Sequence, residues 1–288
     1  MKDKNIVLVI GESTGLQCLK NFVKNKNINI YFVISANAKY NFVIKKICDK
    51  NNIQFITRSS FNKKKQKLLF DEDKKYILIS IFSNLILNKY FLKNFSGKAF
   101  NLHPGILPFY AGKNCVSGAI YNDEKFTGVT LHKITEEIDA GQIIRLKKIR
   151  IEKKDNLIQL MYKLRIVGIK IINEFIRDIH FKKKIIKINN NVKMRKKFPK
   201  KIPNNGLINS KIKIKDFENL FRASDFGPYD NTWGNIFFVY KNCKKYVVKI
   251  DNISSVLKKK KQSKFVSRVN SKIFNLLIEK KIFTVFTK

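Results

Sequence analysis

Ile6-Val7-Leu8-Val9-Ile10-Gly11-Glu12-Ser13-Thr14-Gly15 decides the fold. Five aliphatic residues in a row, closed at once by a glycine, are too short for a helix and apolar on both faces. That is the pattern of a strand buried from both sides. The segment from Gly11 to Gly15 turns the chain into a helix that carries Leu16, Leu19, Phe22 and Val23 on one face. The same alternation continues outward. Strands are expected at 30–34, 53–56, 76–82 and 98–102, with a helix at 42–50 and a helical piece at 87–94. Strand, helix and strand at this spacing mean βαβ units. The fold class is therefore α/β: a Rossmann-like, mostly parallel sheet with helices on both faces. Gly11 and Gly15 form GxxxG rather than GxGxxG, and no acidic residue ends the second strand. A tight β–α turn is expected there, not a dinucleotide fingerprint.

Composition narrows the classes. The chain has 288 residues, 44% of them hydrophobic, which is enough apolar mass for a folded core. Sixty Lys plus Arg against 21 Asp plus Glu leave a formal charge of +39, which points to a polyanionic partner. Only 8 of the 60 are Arg, the residue suited to bidentate phosphate contacts, so part of this charge reflects a lysine-rich composition. The longest nearly apolar run, 76–87, is interrupted by Ser80, Ser83 and Asn84 and is too short to span a bilayer. No signal-peptide core precedes Gly11, and no membrane partner is expected. Cys18, Cys48, Cys115 and Cys243 are scattered, with no CxxC pair. They read as buried, reduced thiols of a cytoplasmic protein, with no metal site.

Further along, strands are expected at 128–134 and 142–152, around a loop at 135–141. Asp155 reads as the N-cap of a long helix to about 180, striped with Leu157, Leu160, Leu164, Ile171 and Phe175. The basic run 182–201 reads as a linker. Beyond it, a helix near 216–223 and strands near 236–240 and 245–250 suggest a small β-barrel-like domain, with a lysine-rich loop at 257–264. The expected organisation is a catalytic domain at 1–181, a basic linker at 182–203 and a small C-terminal domain at 204–288.

Chemistry concentrates in Asn101-Leu102-His103-Pro104-Gly105-Ile106-Leu107-Pro108. Asn101 and His103 alternate at a strand end and so project the same way. The carboxyl ends of parallel strands are where open α/β sheets place their sites. Ile138-Asp139-Ala140-Gly141 is by itself a turn. It gains meaning if the turn brings Asp139 back to His103. An amide and a protonated imidazole then stabilise an oxyanion, and a carboxylate holds the imidazole charged and helps remove a proton from an amine. With no Ser or Cys nucleophile evident, direct acyl transfer to an amine fits these residues.

Together with Gly128-Val129-Thr130-Leu131-His132 and Ile138-Asp139-Ala140-Gly141-Gln142-Ile143-Ile144, the Asn101 segment resembles the 10-formyltetrahydrofolate-dependent formyltransferase family. The likeness covers residues 5–180. It continues more weakly through Pro203-Asn204-Asn205-Gly206 and Phe221-Arg222-Ala223-Ser224-Asp225, which are similar to the C-terminal domain of the methionyl-tRNA type. The resemblance implies Asn101, His103 and Asp139 as the catalytic trio. It implies a folate site formed by Ile81, Phe82, Ser83, Asn84, Leu85, Ile86 and Leu87, with Ile138 and Gly141 of the Asp139 loop. It also implies 10-formyltetrahydrofolate as co-substrate, initiator methionyl-tRNA as acceptor in translation initiation, and a monomer. Two departures bear on the acceptor. Ser35-Ala36-Asn37-Ala38-Lys39-Tyr40 lacks the long basic loop usual in the tRNA enzymes. Phe226 to Asn231, with Tyr110-Ala111-Gly112, looks closer to formyltransferase-like domains attached to peptide and polyketide synthases. A nucleotide-linked amino sugar, or another small or carrier-bound amine, is therefore the alternative acceptor. A non-catalytic nucleic-acid-binding protein is a further one.

Overall fold

The computed structural model describes residues 4–62, 69–71, 73–181, 183, 188–196, 198–229, 231–254, 265–279 and 281–287. The lysine-rich stretch 257–264, expected as a loop, lies outside these residues. The chain forms two compact units. One comprises 1–113, 127–149 and 162–196, and the other 114–126, 150–161 and 197–288. Among the described residues, no helix is long and apolar enough to cross a membrane.

The elements run β1 (Lys4–Ile10), α1 (Ser13–Phe22), β2 (Asn29–Ser35), α2 (Asn41–Lys50), β3 (Gln54–Thr57), β4 (Lys75–Ile81), α3 (Lys89–Lys93) and β5 (Ala99–His103). Then come α4 (Cys115–Tyr121), β6 (Phe126–Lys133), β7 (Ile143–Arg150) and α5 (Leu157–His180). The seven strands form one sheet in the order β3-β2-β1-β4-β5-β6-β7. From β3 to β5 the neighbours are parallel, and β6 runs antiparallel to β5. The mostly parallel sheet read from the sequence is therefore present. Residues Ile6 to Ile10 are all fully buried, as their unbroken apolar run requires. Val7 and Val9 pack with Phe32, Ile34, Leu78, Phe91 and Phe95 on one face. Ile10, on the other face, meets Gly15 of α1. The chain leaves β1 toward β2 and β3, then returns to place β4 and β5 on its far side. The order reverses there, at the position where open sheets leave a crevice at their carboxyl ends.

The second unit holds α6 (Ile214–Ser224), β8 (Phe237–Tyr240), β9 (Cys243–Ser254), β10 (Val266–Arg268), β11 (Ile273–Ile278) and β12 (Lys281–Thr287). These strands pair antiparallel in the order β10-β11-β12-β9-β8. Phe217 packs edge-on to Phe283 at 5.0 Å, and Phe238 to Phe274 at 5.2 Å, so rings from a helix and three strands make its core.

Three sequence expectations are corrected. Asp155 does not cap α5: its carboxylate accepts from Glu152 N at 2.8 Å. The cap is Asn156, whose Oδ1 accepts from Gln159 N at 3.0 Å while Gln159 Oε1 accepts from Asn156 N at 3.1 Å. This reciprocal box satisfies two helix-end donors, and a one-residue shift of the start hides it from a propensity reading. Cys243 is exposed, whereas Cys18, Cys48 and Cys115 are buried as expected. It sits at a strand end beside the left-handed Lys241 and Asn242, in a turn with no core to enter. Finally, the strand expected at 98–102 extends to His103, because His103 keeps pairing with Thr130 across to β6.

Candidate active site

β5 places Asn101 and His103 two residues apart on one side of the sheet, and β6 supplies the facing residues. The register sets Asn101 opposite His132 and His103 opposite Thr130. Asn101 Nδ2 lies 3.2 Å from His132 Nε2, and Asn101 Oδ1 is buried with no partner. The Thr130 hydroxyl donates to Gly105 O at 2.6 Å and accepts from Leu107 N at 3.2 Å, which fixes the loop leaving β5. His103 is 5% exposed, and its Nε2 lies 2.7 Å from Tyr110 O. That closeness depends on Gly105, since a Cβ there would sit 2.7 Å from both His103 Nε2 and Tyr110 O.

Asp139 arrives from the loop between β6 and β7. Its backbone is left-handed, at φ +52°, a conformation Asp tolerates better than most residues. One carboxylate oxygen, Oδ2, accepts from Gly112 N at 2.7 Å and lies 3.4 Å from His103 Nδ1. The other, Oδ1, lies 3.3 Å from His132 Nε2. The second nitrogen of His132, Nδ1, lies 2.7 Å from Lys133 O. The His103 ring thus faces oxygen atoms with both nitrogens, whereas His132 Nε2 meets the Asp139 carboxylate at 3.3 Å and the Asn101 amide nitrogen at 3.2 Å. Turning the Asn101 amide over would give its stranded oxygen the His132 Nε2–H and leave the NH2 group as the unpartnered donor. Burial by itself would raise the Asp139 carboxyl. The charge of His103, the hydrogen bond and charge of His132, and the Gly112 N–H outweigh it and hold the group well below the usual carboxylate range. At neutral pH it is a carboxylate between two imidazoles.

The structure therefore brings Asn101, His103 and Asp139 into one buried polar cluster. It adds His132, which the sequence reading quoted in a motif but gave no role. The missing signal was the antiparallel β5–β6 pairing, which alone puts His132 across from Asn101. Gly141 lies where any Cβ would strike Lys133 O, so the loop closes only with glycine there.

The segment 81–87 leaves the carboxyl end of β4. Phe82 is left-handed and donates its N–H to Leu102 O at 3.1 Å. Ser83 Oγ accepts from Leu85 N, and Asn84 Oδ1 accepts from Arg58 at 2.8 Å. Leu85 and Leu87 pack on the same core cluster as Ile134, just ahead of the Asp139 loop. Ile86 and Ile138 are 73% and 56% exposed, two apolar side chains turned to solvent. Among the described residues no cluster of His, Cys, Asp and Glu has the make-up of a metal site.

Residues 3–176 match the formyl transferase family model, and the chain belongs to that family. A bifunctional polymyxin resistance protein ArnA from Wigglesworthia glossinidia brevipalpis is 33% identical over 211 residues, which are 73% of this chain and 32% of that protein. A methionyl-tRNA formyltransferase from Finegoldia magna is 27% identical over 185 residues, 62% of this chain and 59% of that one. The chain thus spans about a third of the first relative and over half of the second. An N-formyltransferase from Helicobacter canadensis, solved with folinic acid and dTDP-3-aminofucose, shares the fold. Its TM-score is 0.70 at 20% identity, covering 99% of both chains.

Proposed function

We propose that this chain transfers a formyl group from 10-formyltetrahydrofolate to the primary amine of a nucleotide-linked amino sugar. The observation that carries formyl transfer is the convergence of Asn101, His103 and Asp139 in one buried cluster, inside a member of the formyl transferase family. The donor supplies a formyl carbon whose bond to nitrogen is replaced by a bond to the acceptor amine. With its amide turned so that the oxygen accepts from His132 and the NH2 group is free, Asn101 donates to the formyl oxygen as negative charge develops there. His103 turns from Tyr110 O to the same oxygen and acts as the charged donor. Asp139 keeps that imidazole protonated and accepts, directly or through one water, the proton the amine must lose. A proton returns to the folate nitrogen as its bond to the formyl carbon breaks, so that tetrahydrofolate leaves as a neutral amine. The 81–87 segment and the exposed Ile86 and Ile138 give a flat aromatic donor backbone groups and apolar surface at the strand ends.

The acceptor reading rests on extent. The structural likeness to an amino-sugar enzyme runs end to end. Only Ala36 to Tyr40 separates β2 from α2, which leaves no room for the long basic loop of the tRNA type. The charge of +39 favours methionyl-tRNA as the second reading. The test is a panel: 10-formyltetrahydrofolate with dTDP-, UDP- and GDP-linked amino sugars, glycinamide ribonucleotide and methionyl-tRNA, each against Asp139→Asn. Turnover of an amino-sugar nucleotide that collapses in Asp139→Asn supports the reading. Turnover of methionyl-tRNA alone would replace the acceptor, and none with any amine would sink formyl transfer.

A further inference from the structure

Residues 188–196 lie in the stretch that composition marks as a basic linker, yet they form a strap against the catalytic loops. Ile188 pairs with Ile143 through two backbone hydrogen bonds of 2.8 and 2.9 Å. Two residues on, Asn190 is 7% exposed, and its Nδ2 donates both hydrogens into the Asp139 turn, to Asp139 O at 2.8 Å and Gly141 O at 3.0 Å. Arg195 donates to Ile138 O at 2.7 Å and pairs with Glu137 at 3.1 Å. Lys196 N donates to Phe109 O at 2.8 Å, one residue before the carbonyl that faces His103. One nine-residue segment therefore grips both loops that hold the polar cluster.

We propose that Asn190 is a positioning residue of the active site: its amide clamps the left-handed Asp139 turn so that the carboxylate stands between His103 and His132. The turn needs such a clamp. A non-glycine residue at positive φ is held at some conformational cost, and the carbonyls of 139 and 141 both take their hydrogen bonds from Asn190. Asn is suited to the task because a single NH2 group reaches two carbonyls at once, which no hydroxyl can do. Asn190 touches none of the reacting atoms and acts only through Asp139, so this inference rests on the formyl transfer proposed above.

The test pairs kinetics with a readout that needs no activity. The chain has three histidines, so ring Cε1–H signals can be assigned and titrated one by one. Asn190→Ala is expected to lower kcat 10- to 100-fold, with KM for donor and acceptor within about threefold, as expected when a catalytic group is displaced by about 1 Å. The His103 and His132 ring signals should both move as the carboxylate moves away, while the His180 signal stays put and reports an intact fold. Asn190→Ser, which keeps one donor, should fall between. Asn190→Ala added to Asp139→Asn should cost nothing further. An unchanged kcat, a loss that multiplies in the double variant, or His103 and His132 signals at their wild-type positions would each overturn the assignment. If the wild type formylates no amine, the function reading fails alone, and the histidine ring signals still decide the role of Asn190.

Discussion

Two imidazoles converge on the Asp139 carboxylate, and single-atom changes will be felt most there. Asp139→Asn keeps the shape but removes the charge, and kcat is expected to drop about 10²- to 10⁴-fold. The pH–rate profile should show an imidazole limb between pH 5 and 8, displaced to lower pH in Asp139→Asn. A flat wild-type profile, with chemistry rate-limiting, would remove His103 from the mechanism. Because the folded state holds the Asp139 carboxyl below its ordinary value, the stability this group adds is complete at neutral pH. It fades only as pH falls below the normal carboxylate range. Glu12 has the opposite sign. Burial at the start of α1 pushes it up to about 7 from an ordinary 4.5. The folded state favours its protonated form, so the protein loses stability as pH rises from about 4.5 to 7. Glu12→Gln should therefore raise Tm at pH 8, by at most about 3 kcal/mol in free energy, and should change little at pH 4. Thermal melts at the two pH values check this, and equal shifts at both would refute it.

Elements differ in how openly the sequence announces them. β1 was legible because an aliphatic run closed by glycine has few other destinations. β5 was legible for its Asn-x-His ending, and with it two members of the site. Its antiparallel partner was not, since strand order is a property of the whole sheet, so His132 stayed without a role. Asn190 was hidden more deeply, in a run of lysines and asparagines whose composition suggests solvent. What commits it is the pairing of Ile188 with Ile143, a long-range contact without a local signature. The Asn156–Gln159 box is the local counterpart, readable from spacing once the helix start is known. Asn156 Nδ2 also donates to Asp225 at 2.7 Å. Asn156→Ala should then cost about 1–2 kcal/mol, seen as a Tm lowered by about 2–6 °C, with kcat little changed.

For the whole molecule, the question is what the charge of +39 does. The second unit draws 114–126 and 150–161 together with 197–288. Deleting the chain beyond 203 would therefore break that unit rather than remove a module, and it cannot test whether the unit binds tRNA. Salt can. A protein that neutralises 6–10 phosphates loses about 10³- to 10⁵-fold in affinity between 50 and 200 mM salt. A sugar nucleotide presents only two phosphates, and the same salt step should weaken it by about tenfold or less. The proposed acceptor thus predicts kcat/KM falling by no more than about tenfold across that range, a log–log slope no steeper than about −1.7. A slope of −6 or steeper would mean that the lysines grip a polyanion during turnover, and would move the acceptor from an amino sugar to tRNA. A shallow slope would leave most of the 60 basic residues as a solvating surface, with acceptor choice set by the few groups at the carboxyl ends of β4 and β5.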